Sequence, residues 1–279
     1  MIELMIYLIL VLLGLCMGSF VNALVWRLYI RDHPKSKKFS KTKREVSVLR
    51  GRSMCAHCGH QLSIKDLIPV LSWLLLRGRC RYCQKSIADT PLPEVLTPLL
   101  FVLSYYFWPY GFTGLGIMLF ACWLVIIVVL VALFLYDLRW MILPDKLTRI
   151  LLGLSIVIVL LRVFEEGVGE ALLALLGLVS VGGLFFLLYQ VSQGKWIGGG
   201  DVKLGYSIGL LVGSPLAGFM TVFIASILGT LAAAPQLMRR KKQLTSKLPF
   251  GPFLIVATII VFLFGESFYE WYLSVFIVL

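Results

Sequence analysis

The sequence predicts an all-α polytopic membrane protein with about eight transmembrane helices and one polar loop domain. Two observations support this fold class. Of the 279 residues, 59% are hydrophobic and only 14% are charged, a composition outside the range of soluble globular domains. The hydrophobic residues also fall into runs that are long enough to cross a bilayer.

The net charge of +12 comes almost entirely from the region between Arg27 and Asp89. A basic block of this kind can bind nucleic acid, but in a membrane protein it more often marks the cytoplasmic side. We favour the topological interpretation and expect no nucleic-acid partner. The basic residues 239–242 are then internal as well, whereas the acidic turn 162–170 is external.

Eight spans follow from the hydropathy and from the polar turns between the apolar runs. They are, in chain order, 4–26, 95–108, 114–136, 147–161, 171–191, a sixth that ends near 212, 218–237 and a last one that ends near 273. The charge rule places both termini outside and the two acidic loops at the cytoplasmic face. We divide the chain into a first transmembrane helix (1–27), a cytoplasmic basic loop (28–92) and a transmembrane domain (93–279).

The polar loop contains four cysteines in two Cys-x-x-Cys pairs. They are Cys55 with Cys58 and Cys80 with Cys83. Four thiolates at this spacing are typical of a tetrahedral structural zinc site in a zinc-ribbon-like fold. A disulfide framework is the alternative, but the charge pattern places the loop in the cytoplasm, where thiols stay reduced. His57 and His60 are near enough to be ligands, although four cysteines already complete the coordination sphere.

Two acidic residues lie where predicted spans meet the cytoplasmic face. Asp137 ends the third span, and Asp201 follows Gly198, Gly199 and Gly200 at the start of the sixth. A charged side chain at a membrane boundary is costly and is a functional candidate by default. Two carboxylates at one depth on different helices can share a proton, as in an aspartic peptidase. The glycines would let an extended peptide backbone approach, since they have no Cβ.

Within this pair we assign Asp201 as the general base and Asp137 as the acid, because a helix N-terminus favours an anion at Asp201. Asp145 competes with Asp137 for the acid role, although it also fits an N-cap position after Pro144. A flexible loop with an N-cap aspartate is the alternative interpretation of Asp201 itself. Lys203 is expected to anchor the chain at the membrane interface rather than to take part in catalysis.

Several motifs together resemble the prepilin peptidase family, also called type IV leader peptidases. In chain order they are Gly18-Ser19-Phe20 with Asn22 and Arg27, the two cysteine pairs, Pro93-Glu94, Asp137 with Leu143-Pro144-Asp145, Gly198-x-Gly200-Asp201, and Pro249-Phe250-Gly251-Pro252. The resemblance runs from about residue 14 to 254, nearly the whole chain. Each motif alone is weak, but their combination and order are highly specific.

The resemblance implies a bifunctional enzyme of the bacterial inner membrane. Such enzymes cleave the leader of prepilin-like proteins on the cytoplasmic side, and many methylate the new N-terminal amine with S-adenosylmethionine. In the family the catalytic pair corresponds to Asp137 and Asp201, and the zinc loop with the first spans is associated with methylation. The implied partners are prepilin or pseudopilin substrates and the lipid bilayer. No glycine fingerprint indicates which residues bind the methyl donor.

Two other classes of function compete with a peptidase. An ion-coupled membrane transporter would also place acidic residues in its spans, but near the midplane of the bilayer rather than at one face. A membrane-tethered zinc ribbon that binds nucleic acid would use basic and aromatic residues near the cysteines, such as Arg81 and Tyr82. That second alternative leaves the two acidic loops without a role.

Overall fold

The computed structural model describes residues 1–33, 47, 51–55, 57–87, 90–112, 114–238 and 249–276. Within these ranges the chain is almost entirely helical, and its only β-pairing is two isolated bridges, Met54 with Gln61 and Arg79 with Ser86. The predicted all-α class is therefore confirmed. The basic cluster 239–242 and most of the basic stretch 31–52 lie outside the described residues.

The helices are numbered in chain order. They are α1 (Ile2–Asp32), α2 (Leu71–Leu75), α3 (Leu92–Tyr106), α4 (Leu115–Trp140), α5 (Asp145–Glu166), α6 (Gly169–Leu178), α7 (Leu184–Ser192), α8 (Gly199–Val212), α9 (Pro215–Met238) and α10 (Gly251–Phe276). A 3-10 turn covers Ile64–Leu67, and a π-helical turn, Val179–Gly183, joins α6 to α7.

Six helical segments in the described chain are long and apolar enough to cross a membrane. They are α1, α4, α5, the continuous segment from α6 through the π-helical turn to α7, α9 and α10. The second and sixth predicted spans correspond to α3 and α8, which are shorter. With 14 residues, α8 rises about 21 Å, less than the ~30 Å thickness of the hydrocarbon core. The protein is a multi-pass membrane protein, and the prediction of eight spans is approximate.

The chain divides into two compact units, Met1–Tyr105 and Tyr106–Leu279. The first unit contains α1, α2, α3 and both cysteine pairs, and the second contains α4 to α10. In this division α3 belongs with the polar loop, and the boundary near residue 93 that we drew from the sequence stays a prediction.

In the first unit α1 approaches α3 closely at two glycines. A Cβ on Gly14 would collide with the backbone of Pro98, and a Cβ on Gly18 would collide with the carbonyl group of Pro93. Small residues at such positions let two helix backbones come together inside a membrane. This contact explains why Gly18, which the sequence singled out, carries no side chain.

In the second unit α5 and α8 run parallel and contact each other at both ends. At one end Lys203 Nζ lies 2.6 Å from Asp145 Oδ1. At the other end Arg162, only 6% exposed, lies against Gly213, the left-handed residue that ends α8. The Arg162 guanidinium also lies 5.2 Å from the centre of the Tyr110 ring. These contacts fix the position of α8 along the length of α5.

The other side of α8 packs on the segment α6–α7. A Cβ on Gly177 would collide with the backbone at Gly209, and a Cβ on Gly209 would collide with that at Gly177. Gly182, in the π-helical turn, leaves room for the ring of Tyr206. Glycines thus allow this short helix to be enclosed by protein, since they let neighbouring backbones approach.

The helices α4 and α10 pack in antiparallel orientation. The rings of Trp123 and Phe262 stack with centroids 3.8 Å apart, and Trp123 is fully buried. Farther along, Asp137 in the last turn of α4 lies beside Gly251, the first residue of α10. The C-terminus of α4 therefore meets the N-terminus of α10 at one end of the pair.

Candidate active site and metal centre

Asp137 and Asp201 meet at the junction of α4, α8 and α10. Asp137 is 5% exposed, and Asp201 lies half-buried in the first turn of α8. A Cβ built on Gly251 would collide with Asp137 Oδ2 and would lie 3.7 Å from Asp201 Oδ1. Both carboxylates therefore lie within 4 Å of a single point, and they interact electrostatically. The structure brings together the two acids that the sequence selected from different helices.

Each carboxylate lies against a glycine at a helix N-terminus. A Cβ on Gly251, the first residue of α10, would collide with Asp137 Oδ2, and a Cβ on Gly198, the N-cap of α8, would lie 3.4 Å from Asp201 Oδ2. At a helix N-terminus the partial positive charge of the backbone stabilises an anion.

Asp145, the competitor for the acid role, points elsewhere. Its carboxylate pairs with Lys203 at 2.6 Å, and the side chains of both residues are more than half exposed. The N-cap interpretation of Asp145 is corrected, because Pro144 is the N-cap of α5 and Asp145 is the first residue inside the helix. Lys203 is likewise the partner of a carboxylate, which the sequence did not indicate. The pair links the first turns of α5 and α8.

The glycines before Asp201 have different surroundings. Gly198 and Gly199 are exposed, as expected for a backbone that a peptide can approach. Gly200, in contrast, faces protein, since a Cβ at this position would lie 3.1 Å from the Cβ of Leu143. The role of Gly200 is therefore to let the first turn of α8 pack against the loop between α4 and α5.

Gly251 is the site residue whose role sequence reasoning did not find. In the sequence it stood out only as part of the motif Pro249-Phe250-Gly251-Pro252, one of those that carry the family resemblance, before the last span. A Gly-Pro pair at a helix start carries no sign that the helix end contacts an acid 114 positions earlier in the chain. Only the packing of α10 on α4 reveals that contact.

The four predicted zinc ligands converge in the first unit. The Sγ atoms of Cys55, Cys58, Cys80 and Cys83 all lie within 4.8 Å of one another. Those of Cys55 and Cys83 are 3.9 Å apart, close to the ~3.8 Å between two ligands of a tetrahedral zinc at 2.3 Å. All four cysteines are free thiols. The cluster is therefore compatible with zinc, and the structure contains no disulfide framework among the described cysteines.

Both cysteine pairs lie in the same type of turn. In the first, the N–H of Cys55 donates to His60 O and the N–H of Gly59 donates to Cys55 O, both at 2.9 Å. In the second pair, the N–H of Gln84 donates to Cys80 O in the same way, also at 2.9 Å. Gly59 and Gln84 both have positive φ, 70° and 57°. Both pairs therefore lie in knuckle turns, each closed by a residue of positive φ after its second cysteine.

The two histidines beside the cysteines have other contacts. His57 Nε2 lies 3.1 Å from the carbonyl oxygen of Ser86, and the ring of His60 packs against that of Tyr82 in a tilted arrangement, with centroids 3.7 Å apart. Neither belongs to the cluster of possible ligands in the described residues. This agrees with the expectation that four cysteines complete the site.

The protonation of the cysteines differs across the cluster. Burial raises the pKa of the Cys55 thiol to about 12. Burial also raises the pKa of Cys80, but N–H groups of Cys83 and Tyr82 and the neighbouring thiols outweigh it and lower that pKa to about 7. Because a metal displaces thiol protons, a bound zinc would favour the thiolate at Cys55 as well.

An ion pair ties the segment between the cysteine pairs to the second pair. Arg81 Nε lies 2.7 Å from Asp66 Oδ1, and the Asp66 side chain is only 3% exposed. Burial raises the pKa of Asp66, but hydrogen bonds from Arg81 and Ser63 outweigh burial and hold the pKa below its usual value. The loop is thus a folded structure around the cluster rather than two isolated turns.

These features define a multi-pass helical membrane protein with two carboxylates at one end of its bundle and a four-cysteine cluster compatible with zinc. Two family models match the chain. Residues 12–108 match the bacterial peptidase A24 N-terminal domain, and residues 123–234 match the type IV leader peptidase family. The chain belongs to the type IV leader peptidase family.

Curated relatives resemble this chain over most of their length. The prepilin leader peptidase/N-methyltransferase of Aeromonas hydrophila is 33% identical over 95% of this chain and 93% of its own. The type 4 prepilin-like proteins leader peptide-processing enzyme of Escherichia coli is 33% identical over 86% and 87%. The Pseudomonas aeruginosa prepilin leader peptidase/N-methyltransferase is 31% identical over 95% and 92%. No solved structure matches the chain. The transporter alternative finds no support in these comparisons.

Proposed function

We propose that this protein is an aspartic endopeptidase that removes the leader of type IV prepilin-like proteins, and that it methylates the new N-terminus. The observation that carries the peptidase assignment is that the carboxylates of Asp137 and Asp201 both lie beside Gly251. The family match and the names of the relatives support the substrate class and the second activity. The substrates are prepilins or pseudopilins.

Peptide cleavage follows from the geometry of the two acids. Asp201, the more exposed of the two, takes a proton from a water molecule as the water oxygen attacks the scissile carbonyl carbon. Asp137 carries the proton that the pair shares and donates it to the carbonyl oxygen. As the tetrahedral intermediate collapses, its C–N bond breaks, Asp201 gives its proton to the leaving amine, and Asp137 recovers one from the hydroxyl group.

The exposed glycines before Asp201 suit the approach of the substrate. Gly198 and Gly199 present backbone without side chains next to the acid pair. An extended leader peptide lies along this backbone, because no Cβ keeps it away. The scissile bond then reaches the point between the two carboxylates.

We place the acid pair at the cytoplasmic face of the inner membrane. The region 28–92 contains most of the excess positive charge of the sequence, and Lys and Arg in short loops mark the cytoplasmic side. The loops that carry Asp137 and Asp201 fall on the same side when the spans are counted from this region. A prepilin leader, which is made in the cytoplasm, is accessible there.

The four cysteines would hold a structural zinc. A tetrahedral set of four thiolates leaves no open position for a substrate or a water, so the metal stabilises the loop and takes no part in peptide hydrolysis. When bound, S-adenosylmethionine supplies the methyl group, which leaves its sulfur for the nitrogen of the new N-terminal amine. The first unit of the chain contains both the zinc cluster and the match to the N-terminal domain of the family.

Co-expression with a prepilin tests the peptidase assignment. Wild type and the variants Asp137→Ala, Asp145→Ala and Asp201→Ala are compared by the shift in prepilin mobility on a gel, with protein levels measured by immunoblot. We expect no processing by the Asp137 and Asp201 variants and processing by the Asp145 variant. Complete leader removal by either of the first two would exclude the acid pair as the catalyst.

A further inference from the structure

The first unit contains a pocket that the peptidase site does not use. It is open on one side, and its empty volume of about 990 Å³ includes part of the solvent at its mouth. Its wall comes from the second half of α1, the residues 52–54 before the first cysteine pair, the segment 62–76, Cys80, Arg81 and Ile87, and the residues 90–94 at the start of α3. Neither Asp137 nor Asp201 contributes to it.

The wall of this pocket combines charge of both signs with aromatic rings. It includes the half-buried carboxylate of Glu94 and the guanidinium of Arg27, whose residue is 6% exposed. The indoles of Trp26 and Trp73 also line it. A zwitterionic nucleoside needs such groups: an acceptor for ribose hydroxyls, a partner for each charge of its amino-acid part, and an aromatic face for its base.

Glu94 is held in the wall by a strained turn. Its Oε2 accepts a hydrogen bond of 2.6 Å from the N–H of Val70. Val70 has φ 61° and ψ −50°, and the N–H of Leu71 donates to Pro69 O at 2.6 Å. This is a γ-turn of the rare, strained type, and positive φ is an outlier for a β-branched residue. Strain of this kind persists where the surroundings over-determine it, often at ligand sites.

Two polar atoms of wall residues lack a hydrogen-bond partner among the described residues. They are Asn22 Oδ1, an acceptor, and Trp73 Nε1, a donor, and both are buried. The amide nitrogen of Asn22 donates to Thr90 O at 3.2 Å, which leaves the oxygen as the unpaired end. Buried polar groups are almost always hydrogen-bonded, so two exceptions in one pocket wall call for a bound partner.

We propose that this pocket binds S-adenosylmethionine, an inference that rests on the proposed methylation. Glu94 accepts hydrogen bonds from the ribose hydroxyls. The ring and the N–H of Trp73 contact the adenine, and Asn22 Oδ1 accepts a hydrogen bond from an amino group of the ligand. Cys80 and Arg81 form part of the wall, so the cysteine cluster helps to shape the pocket.

Binding of S-adenosylhomocysteine to the purified full-length chain in detergent, measured by calorimetry, tests the site. Glu94→Gln keeps an acceptor for Val70 but removes the charge, and Trp73→Phe keeps an aromatic ring but removes the N–H. We expect each substitution to weaken binding roughly tenfold, the effect of one lost polar contact in a buried site. The matched controls are Glu3→Gln and Trp108→Phe. Trp108 Nε1 is also buried without a partner but lies in the other unit, and both controls should bind like wild type.

Zinc content and the melting temperature verify that each variant is folded. As a second measurement, ultraviolet crosslinking of radiolabelled S-adenosylmethionine to wild type should label peptides within 19–27 or 52–94. Wild-type binding that Glu94→Gln and Trp73→Phe leave unchanged, or label confined to the second unit, would overturn the pocket assignment and leave the proposed function intact. No binding by wild type, together with unmethylated product, would overturn both this site and the proposed methyltransferase activity. The proposed peptidase activity is tested separately, by leader removal.

Discussion

Gly251 lies so close to Asp137 that a Cβ on the glycine would collide with the carboxylate oxygen Oδ2. Gly251→Ala should therefore displace the Asp137 carboxylate while leaving α10 intact, since Ala is a better helix former than Gly. Because a displacement of about 1 Å in an active site costs roughly 100-fold in rate, we expect leader cleavage to fall by about that factor. A time course of prepilin cleavage with purified enzyme measures it.

Gly265→Ala is the matched control on the same helix. A Cβ at Gly265 would lie 3.4 Å from Val261 Cγ1, an ordinary contact, so this variant should cleave at the wild-type rate. Equal activity of the Gly251 and Gly265 variants would show that Gly251 does not position Asp137.

Gly200→Ala should reduce cleavage through a collision with Leu143 rather than through contact with substrate. The new Cβ would lie 3.1 Å from the Leu143 Cβ, which pushes the first turn of α8, and Asp201 with it, away from α4. Leu143→Ala removes the side-chain atoms beyond Cβ that the new methyl group would also meet. The double variant Gly200→Ala/Leu143→Ala should therefore recover part of the lost cleavage rate. Cleavage assays on the two single variants and the double variant give the coupling. Strictly additive losses would mean that Gly200 and Leu143 act independently.

The ion pair of Asp145 and Lys203 should matter little for stability and not at all for chemistry. Both side chains are more than half exposed, and exposed pairs contribute at most about 1 kcal/mol. We expect Asp145→Asn and Lys203→Met to cleave prepilin at rates near that of wild type. A double-mutant cycle on thermal unfolding in detergent should give a small coupling that shrinks as salt is added. Complete loss of cleavage in Asp145→Asn would reopen the choice between Asp145 and Asp137.

Zinc content should depend on the cysteine cluster alone. Cys80→Ser removes one of four converging thiols, so we expect the purified variant to lose most of its metal and the loop to become sensitive to protease. Cys16→Ser is the control, because Cys16 is an exposed residue of α1 outside the cluster. Elemental analysis of both proteins measures the ratio of zinc to protein. A full complement of zinc in Cys80→Ser would exclude the cluster as the metal site.

The amino-acid sequence by itself determined the fold class and selected the residues of both candidate sites. Apolar runs defined the helices, because a helix in lipid must satisfy all its backbone hydrogen bonds within the segment and must be apolar over its length. The spacing of Cys55, Cys58, Cys80 and Cys83 defined the metal cluster, since each Cys-x-x-Cys turn is a local structure. The two acids stood out because charge at a membrane boundary is rare.

The tertiary structure decided which groups meet. Asp137, Asp201 and Gly251 are far apart in the chain, and only the packing of α4, α8 and α10 brings them to one point. It likewise placed the Asp145 carboxylate in an ion pair with Lys203, and it enclosed α8 although that helix is too short for a full span. Periodicity and composition report on the neighbours of a residue along the chain, whereas contacts between helices depend on the fit of whole surfaces, which no local pattern encodes.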